Sequence, residues 1–209
     1  MARDARHLEG NGAHLVRERA LASSVQKSLE RLYQLDQQAS VDDFLQAAGD
    51  GERESVLVRE ADDGAVEIAV RVPALSGGDL DGVCQLIEGV SHFVYLAERA
   101  RAERSATQLE LELQAEVDKY VVLGGAIRGF DEAKSAALRS NLFESVRYAD
   151  AAESDEGERY RVANELANRF VRRLEREYVA AKRFVAMREE LRTFYRMGQE
   201  AKLRVGREG

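Results

Sequence analysis

From Arg159 to Met197 the chain contains neither proline nor glycine, and the whole sequence holds a single proline. Proline removes a helical donor and clashes with the preceding turn, and glycine costs a helix backbone entropy, so a breaker-free run rich in Ala, Leu, Glu and Arg favours long helices. Within it Tyr160, Ala163, Ala167, Phe170, Leu174, Tyr178, Ala181 and Val185 recur at helical spacing and mark a buried stripe. Near Met187 the stripe drifts towards Leu191 and Tyr195, which predicts a bend or a break into two helices. The residues past Gly198 read as a frayed tail.

The remaining elements follow from similar patterns. Leu21, Val25, Leu29 and Leu32 predict an amphipathic helix over about 13–35. Ser40 ahead of Asp42 and Asp43 reads as the cap of a short second helix that ends at Gly49. Between Ser55 and Val72 the apolar residues alternate, as in a β-hairpin. A three-residue loop, Asp62-Asp63-Gly64, pairs Val58 with Ile68 and Val56 with Val70, sets Arg59 opposite Glu67, and leaves one apolar face. A two-residue loop would scatter the apolar residues over both faces.

Ser76-Gly77-Gly78-Asp79 then punctuates the chain before a central helix over about 80–102. Val83, Leu86, Ile87, Val90, Phe93, Val94 and Ala97 form its apolar side, and Asp81, Gln85, Glu88, His92 and Arg99 a narrow strip opposite. Gly82 and Gly89 leave room for a neighbouring backbone. Thr107 and Glu110 have capping-box spacing and open a helix over 108–123, although the alternation Leu109-Glu110-Leu111-Glu112-Leu113 leaves a strand open. A helix over 131–148 and a polar loop over 150–158 complete the reading.

The fold class is thus mainly α: a helical bundle-like domain with one antiparallel β-hairpin, α+β by strict count. Residues 1–12 read as a disordered N-terminus and 13–78 as helices plus the hairpin at about 55–72. Residues 79–197 read as a helical core packing with them in one domain, and 198–209 as the tail.

Cys84 is the only cysteine, so an internal disulfide and a cysteine-based zinc cluster are both excluded. It sits at the edge of the apolar side, as a packed small residue does. Neither a secretory signal pattern at the polar N-terminus nor a long uncharged apolar stretch is present, and a cytoplasmic protein without membrane partners is expected. Residues 159–209 carry 14 of the 31 basic and 7 of the 38 acidic residues, a net +7 against −14 for the remainder. That polarity suits an anionic partner, a homodimer or internal pairing.

Metal chemistry would have to use carboxylates and the three histidines, two of which, His7 and His14, lie near the terminus. No metal site is assigned from the sequence, and its candidates are Glu88, His92, Glu112 and Glu116. Glu88 and His92 are one helical turn apart, but on the polar strip, where solvation is expected. Glu116 falls among Leu109, Leu113 and Tyr120, where an unpaired carboxylate is costly, so it needs a partner. An arginine from the C-terminal segment is the expected one; a metal site shared with Glu112 and the central helix is the alternative.

Arg161, Arg169, Arg172, Arg176 and Arg183 fall in one sector opposite the buried stripe. Such a ridge could grip phosphates, though Glu165 shares the sector and no base-reading module accompanies it. Phosphate loops, dinucleotide fingerprints, His-Glu-x-x-His and Gly-x-Ser-x-Gly are absent. The sequence reading is therefore a non-enzymatic interaction or adaptor protein without a cofactor, binding another protein or itself as a homodimer. Nucleic-acid or polyanion binding through the ridge and a carboxylate/His metal-dependent enzyme are the alternatives.

Overall fold

The computed structural model describes residues 15–36, 39–49, 51–60, 66–75, 80–145 and 154–208. They form seven α-helices and a small sheet: α1 (Val16–Tyr33), β1 (Leu45–Ala47), β2 (Ser55–Glu60), β3 (Val66–Val72), α2 (Leu80–Arg101), α3 (Gln108–Ala126), α4 (Glu132–Arg139), α5 (Asp155–Leu174), α6 (Phe184–Arg196) and α7 (Gln199–Arg207). The fold is mainly α with a small β part, as the composition predicts.

α2 and α3 are the centre of the bundle. They run antiparallel, since Arg99 near the end of α2 pairs with Glu110 near the start of α3, while Ser91 reaches Asp118. α1 and the sheet pack on α2, α5 packs on α3, and α7 packs on α5. Leu86, Val90, Phe93, Leu113, Val117, Ala167, Phe170 and Leu174 are fully enclosed, and Phe170 stacks on Phe194 of α6 with ring centroids 4.2 Å apart. Each enclosed large apolar side chain contributes about 2–3 kcal/mol of transfer free energy, enough in sum to hold the layers together.

A polar thread runs through this core. The Asp118 carboxylate accepts from Ser91 Oγ (2.6 Å), Gln114 Nε2 (2.9 Å) and the Tyr33 hydroxyl. Lys202 of α7, fully buried, donates to Gln114 Oε1 at 2.7 Å and Tyr95 Oη at 3.1 Å. Burial pushes the Asp118 carboxyl up to about 6 and the Lys202 ammonium down to about 7.

The hairpin register is the predicted one: Val56 faces Val70, Val58 faces Ile68 and Arg59 faces Glu67. Its loop, Asp62-Asp63-Gly64, lies outside the described residues. The expected helix after Ser40 is instead a single 3₁₀ turn, Val41–Asp43, followed by β1. β1 pairs parallel with β3, Leu45 opposite Val70, and makes the hairpin a three-stranded sheet in the order β1-β3-β2. The turn stops because Gln26 of α1 accepts from Val41 N–H at 2.8 Å and Phe44 O accepts from Val70 N–H at 2.9 Å, which draws the next residues into the sheet.

Residues 108–123 are helix, not strand: the Thr107 hydroxyl accepts from Glu110 N–H at 3.2 Å and opens α3. The helix predicted over 131–148 is α-helical only to Arg139 and continues as a π-helical segment, Ser140–Glu144. Asp155, Glu156 and Glu158, expected in a loop, form the first turn of α5, where their charges favour the helix N-terminus and Ser154 caps it. The break in the long C-terminal run falls at 180–183, where Lys182 takes φ 53°, slightly before the expected place. The tail is no frayed end: α7 is ordered because Lys202 is enclosed and Gly206 lies against Leu166, where a Cβ would come within 3.0 Å of the Leu166 Cβ.

Candidate metal centre

On α2, Glu88 and His92 project from successive turns of the polar strip. That strip does not meet water. It faces the polar side of α3, and each residue is only 7% exposed. The antiparallel α2–α3 pairing brings Glu112 opposite His92, with His92 Nε2 3.8 Å from Glu112 Oε2, and Lys119 opposite Glu88, with Nζ 3.2 Å from Oε2. Glu116 has its partner, but the partner is Lys119 of its own helix at 2.6 Å rather than an arginine of the C-terminal segment. The i,i+3 spacing puts the two side chains side by side, and Lys119, buried itself, has no better place for its charge.

A fourth carboxylate arrives from the sheet. Glu54 immediately precedes β2, its backbone N–H donates to Gln85 Oε1 at 3.1 Å, and Gln85 is in turn steadied by Asp81 at 2.7 Å. The Glu54 side chain, 7% exposed, lies 3.7 Å from His92 Nδ1. It fits because residue 89 has no side chain: a Cβ there would lie 2.9 Å from Glu54 Oε2 and 3.2 Å from Val70 Cγ1. What approaches Gly89 closely is not the backbone expected there but side chains, those of Glu54 and of Val70 and Val72 in β3.

Glu88, His92 and Glu112 each offer a donor atom within 4.8 Å of the others. Ligands about 2.1 Å from a cation sit about 3 to 4.3 Å apart, so these three need to draw in only slightly to share one. His92 Nε2 and Glu54 Oε2 are buried and have no hydrogen-bond partner. Leaving such an atom unsatisfied costs about 1–3 kcal/mol, and a cation shared by Glu88, His92 and Glu112 would satisfy His92 Nε2.

The charge balance points the same way. Burial, with Glu88 beside it, pushes the Glu112 carboxyl up to about 8. Burial together with Glu88 and Glu112 raises Glu54 well above the usual carboxylate range. Glu88 goes the other way: burial would raise it, but Lys119 and His92 hold it below its ordinary value. Burial also lowers the His92 imidazole against the pull of Glu88, leaving it neutral, the form that binds metals. Glu116 is raised by burial despite Lys119, and Lys119 itself, though burial lowers it, is held up by Glu116 and Glu88.

Beside the cluster opens a cleft of about 710 Å³, lined among others by Cys84, Glu54, Glu88, Asn141, Arg159 and Tyr160. Burial pushes the Cys84 thiol up to about 11, in keeping with its role as a packed side chain. Of the sequence candidates, Glu88 and Glu116 line this cleft, while His92 and Glu112 lie behind Glu88 in the cluster. Glu54, Lys119 and Arg159 were missed. Lys119 left a trace, since a lysine three residues after a carboxylate in an apolar stripe is its nearest partner.

The arginine ridge stands elsewhere. Arg169 pairs with Glu165, Arg172 lies 2.8 Å from Glu144, Arg176 lies 3.7 Å from Glu177, and Arg183 stacks over Tyr178. Arg161 is half-buried and already engaged. Among the described residues no helix is long and apolar enough to cross a membrane.

Fold and site together define a helical bundle, braced by a three-stranded sheet, with a buried carboxylate–histidine cluster beside a cleft. Comparison with protein-family models, with curated proteins and with solved structures gave no match.

Proposed function

We propose that this protein binds one divalent cation through Glu88, His92 and Glu112, with Glu54 completing the set, and that it is a metal-dependent enzyme acting on a molecule held in the adjoining cleft. The observation that carries the reading is the orphaned His92 Nε2, buried within a set of donors, those of Glu88, His92 and Glu112, that lie within 4.8 Å of one another, with the orphaned Glu54 Oε2 beside them. An oxygen-rich set with a single imidazole suits Mn²⁺, Fe²⁺ or Zn²⁺. A cation there would act as a Lewis acid on a bound oxygen or generate a hydroxide from water, the requirements of hydrolysis, or carry electrons in an oxidation. Lys119 and Glu116 are locked to each other and serve to position Glu88. Elemental analysis of gently purified protein should find one transition metal per chain, lost in His92→Ala; a chain that holds no cation, even after incubation with Mn²⁺, Fe²⁺ or Zn²⁺, refutes the reading.

An adaptor role is the second reading, favoured by the sheet. β2 lies at its edge and carries Leu57 and Val58 at 43% and 55% exposure, an arrangement suited to strand addition by another protein or a second copy. A light-scattering mass of one chain at high concentration would remove the self-association form of this reading.

A further inference from the structure

Eight buried side-chain polar atoms of the described residues lack any hydrogen-bond partner, and four belong to one neighbourhood: Glu54, His92, Arg159 and Asn164. The first two are the orphans of the metal centre. The other two sit on α5, in the wall of the same cleft.

Arg159 is the unusual one. Its Nε is buried with no acceptor, although guanidinium N–H groups are among the costliest donors to leave unmet. It lies near enough to Glu112 to depress that carboxyl's proton affinity, yet among the described residues its Nε has no acceptor, and its guanidinium flanks the Tyr160 ring at 5.7 Å. Five residues on, Asn164 is 8% exposed; its Nδ2 donates to Phe143 O at 3.0 Å, which leaves Oδ1 as an acceptor without a donor. A donor fork and an acceptor thus share one wall. Glu54 and Glu88 line the same cleft. At about 710 Å³ the cleft falls in the range of small-molecule sites, about 300–1,000 Å³. The π-helical segment Ser140–Glu144 supplies Asn141 to the rim, and such segments recur at functional sites.

We infer that this cleft binds a small molecule with an oxyanion, a carboxylate or phosphate, at one end and a hydrogen-bond donor such as a hydroxyl, the oxyanion gripped by Arg159 and the donor accepted by Asn164 Oδ1. The inference rests on the proposed metal centre for the ligand's remaining contact, at Glu54 and Glu88 of the same cleft. The guanidinium's planar fork matches two oxygens at once, which a lysine cannot do. Arg159 and Asn164 are here binding residues; chemistry belongs to the metal side.

The test is titration calorimetry of the full chain, Mn²⁺-loaded and metal-free, with inorganic phosphate and with glycolate, which carries both a carboxylate and a hydroxyl. Wild type should bind one of the two, and the one it binds names the oxyanion. Arg159→Leu should weaken that binding by about tenfold or more, the loss of a charge-assisted bond, with the Mn²⁺ stoichiometry unchanged. Arg159→Lys, which keeps stem and charge, should fall between. Mn²⁺ held by both variants also shows that they are folded. Binding by neither probe, or equal binding by wild type and Arg159→Leu, overturns the oxyanion site while leaving the metal centre standing. Anion binding that depends on Arg159 in a protein that never takes up a cation supports the oxyanion site and refutes the metal centre.

Discussion

Gly89 and Glu54 meet at the junction of helix and sheet so closely that a Cβ on Gly89 would stand 2.9 Å from Glu54 Oε2. The same Cβ would press Val70 Cγ1 at 3.2 Å. Gly89→Ala gains about 1 kcal/mol of helix propensity and loses a similar amount to crowding, so overall stability should move by less than about 1 kcal/mol. Glu54 is the more mobile obstacle and will yield first. Divalent-cation affinity should therefore fall, by about tenfold, while the urea midpoint barely changes; unchanged affinity would remove Glu54 from the ligand set.

A cation that binds only the folded chain stabilises it by mass action. At a hundredfold excess over Kd, Mn²⁺ or Zn²⁺ should raise the unfolding free energy by about 2.7 kcal/mol. His92→Ala and Glu112→Gln should lose that increment. Metal-free Glu112→Gln should be at least as stable as metal-free wild type, because it removes a carboxylate whose ionisation burial opposes. Thermal unfolding with and without cation checks both statements.

Lys202 makes a pH prediction independent of the metal. Its ordinary value is 10.5 and burial lowers it to about 7 in the folded chain. Between those limits the unfolded chain binds the proton and the folded chain does not, so this group makes stability rise with pH, by up to about 1.4 kcal/mol per unit. Below about 7 both states are protonated and the contribution is flat. Lys202→Met should lack the rise. The wild-type minus variant difference should grow by about 1–2 kcal/mol between pH 7.5 and 9.0 in urea titrations, and a constant difference would show that Lys202 is charged in the fold.

Thr107 decides between the two readings of its segment, and its cap can be removed singly. Thr107→Ala leaves Glu110 N–H without its partner and should cost about 1 kcal/mol in urea unfolding, with helical content kept.

What the sequence revealed depended on whether a pattern is local. The hairpin register was legible because a single pairing puts Val56, Val58, Ile68 and Val70 on one face, and α3 was legible because a cap is written within four residues. β1 was not, since a parallel strand pairs with a distant partner and has no turn to announce it. Glu88 and His92 were named as candidates and expected in solvent: periodicity shows that a strip is polar, and cannot show that it faces another polar strip, with Glu112 and Lys119, and is buried there. Glu54 belongs to no periodic element, so only the space above Gly89 hinted at it. α7 escaped because its anchor is a lysine, the last side chain that composition would place in a core.

The bonds converging on Asp118 act as a locating pin. An interface of leucines and valines alone would let α3 slip by a turn against its neighbours at modest cost. Here any slip separates Tyr33 and Ser91 from Asp118 and Lys202 from Gln114 at once, so the packing has one setting. Because Glu112 and Glu116 ride on the same rigid helix as Asp118, this pin, on the far side of α3 from the cluster, also sets where the ligands stand relative to Glu88 and His92.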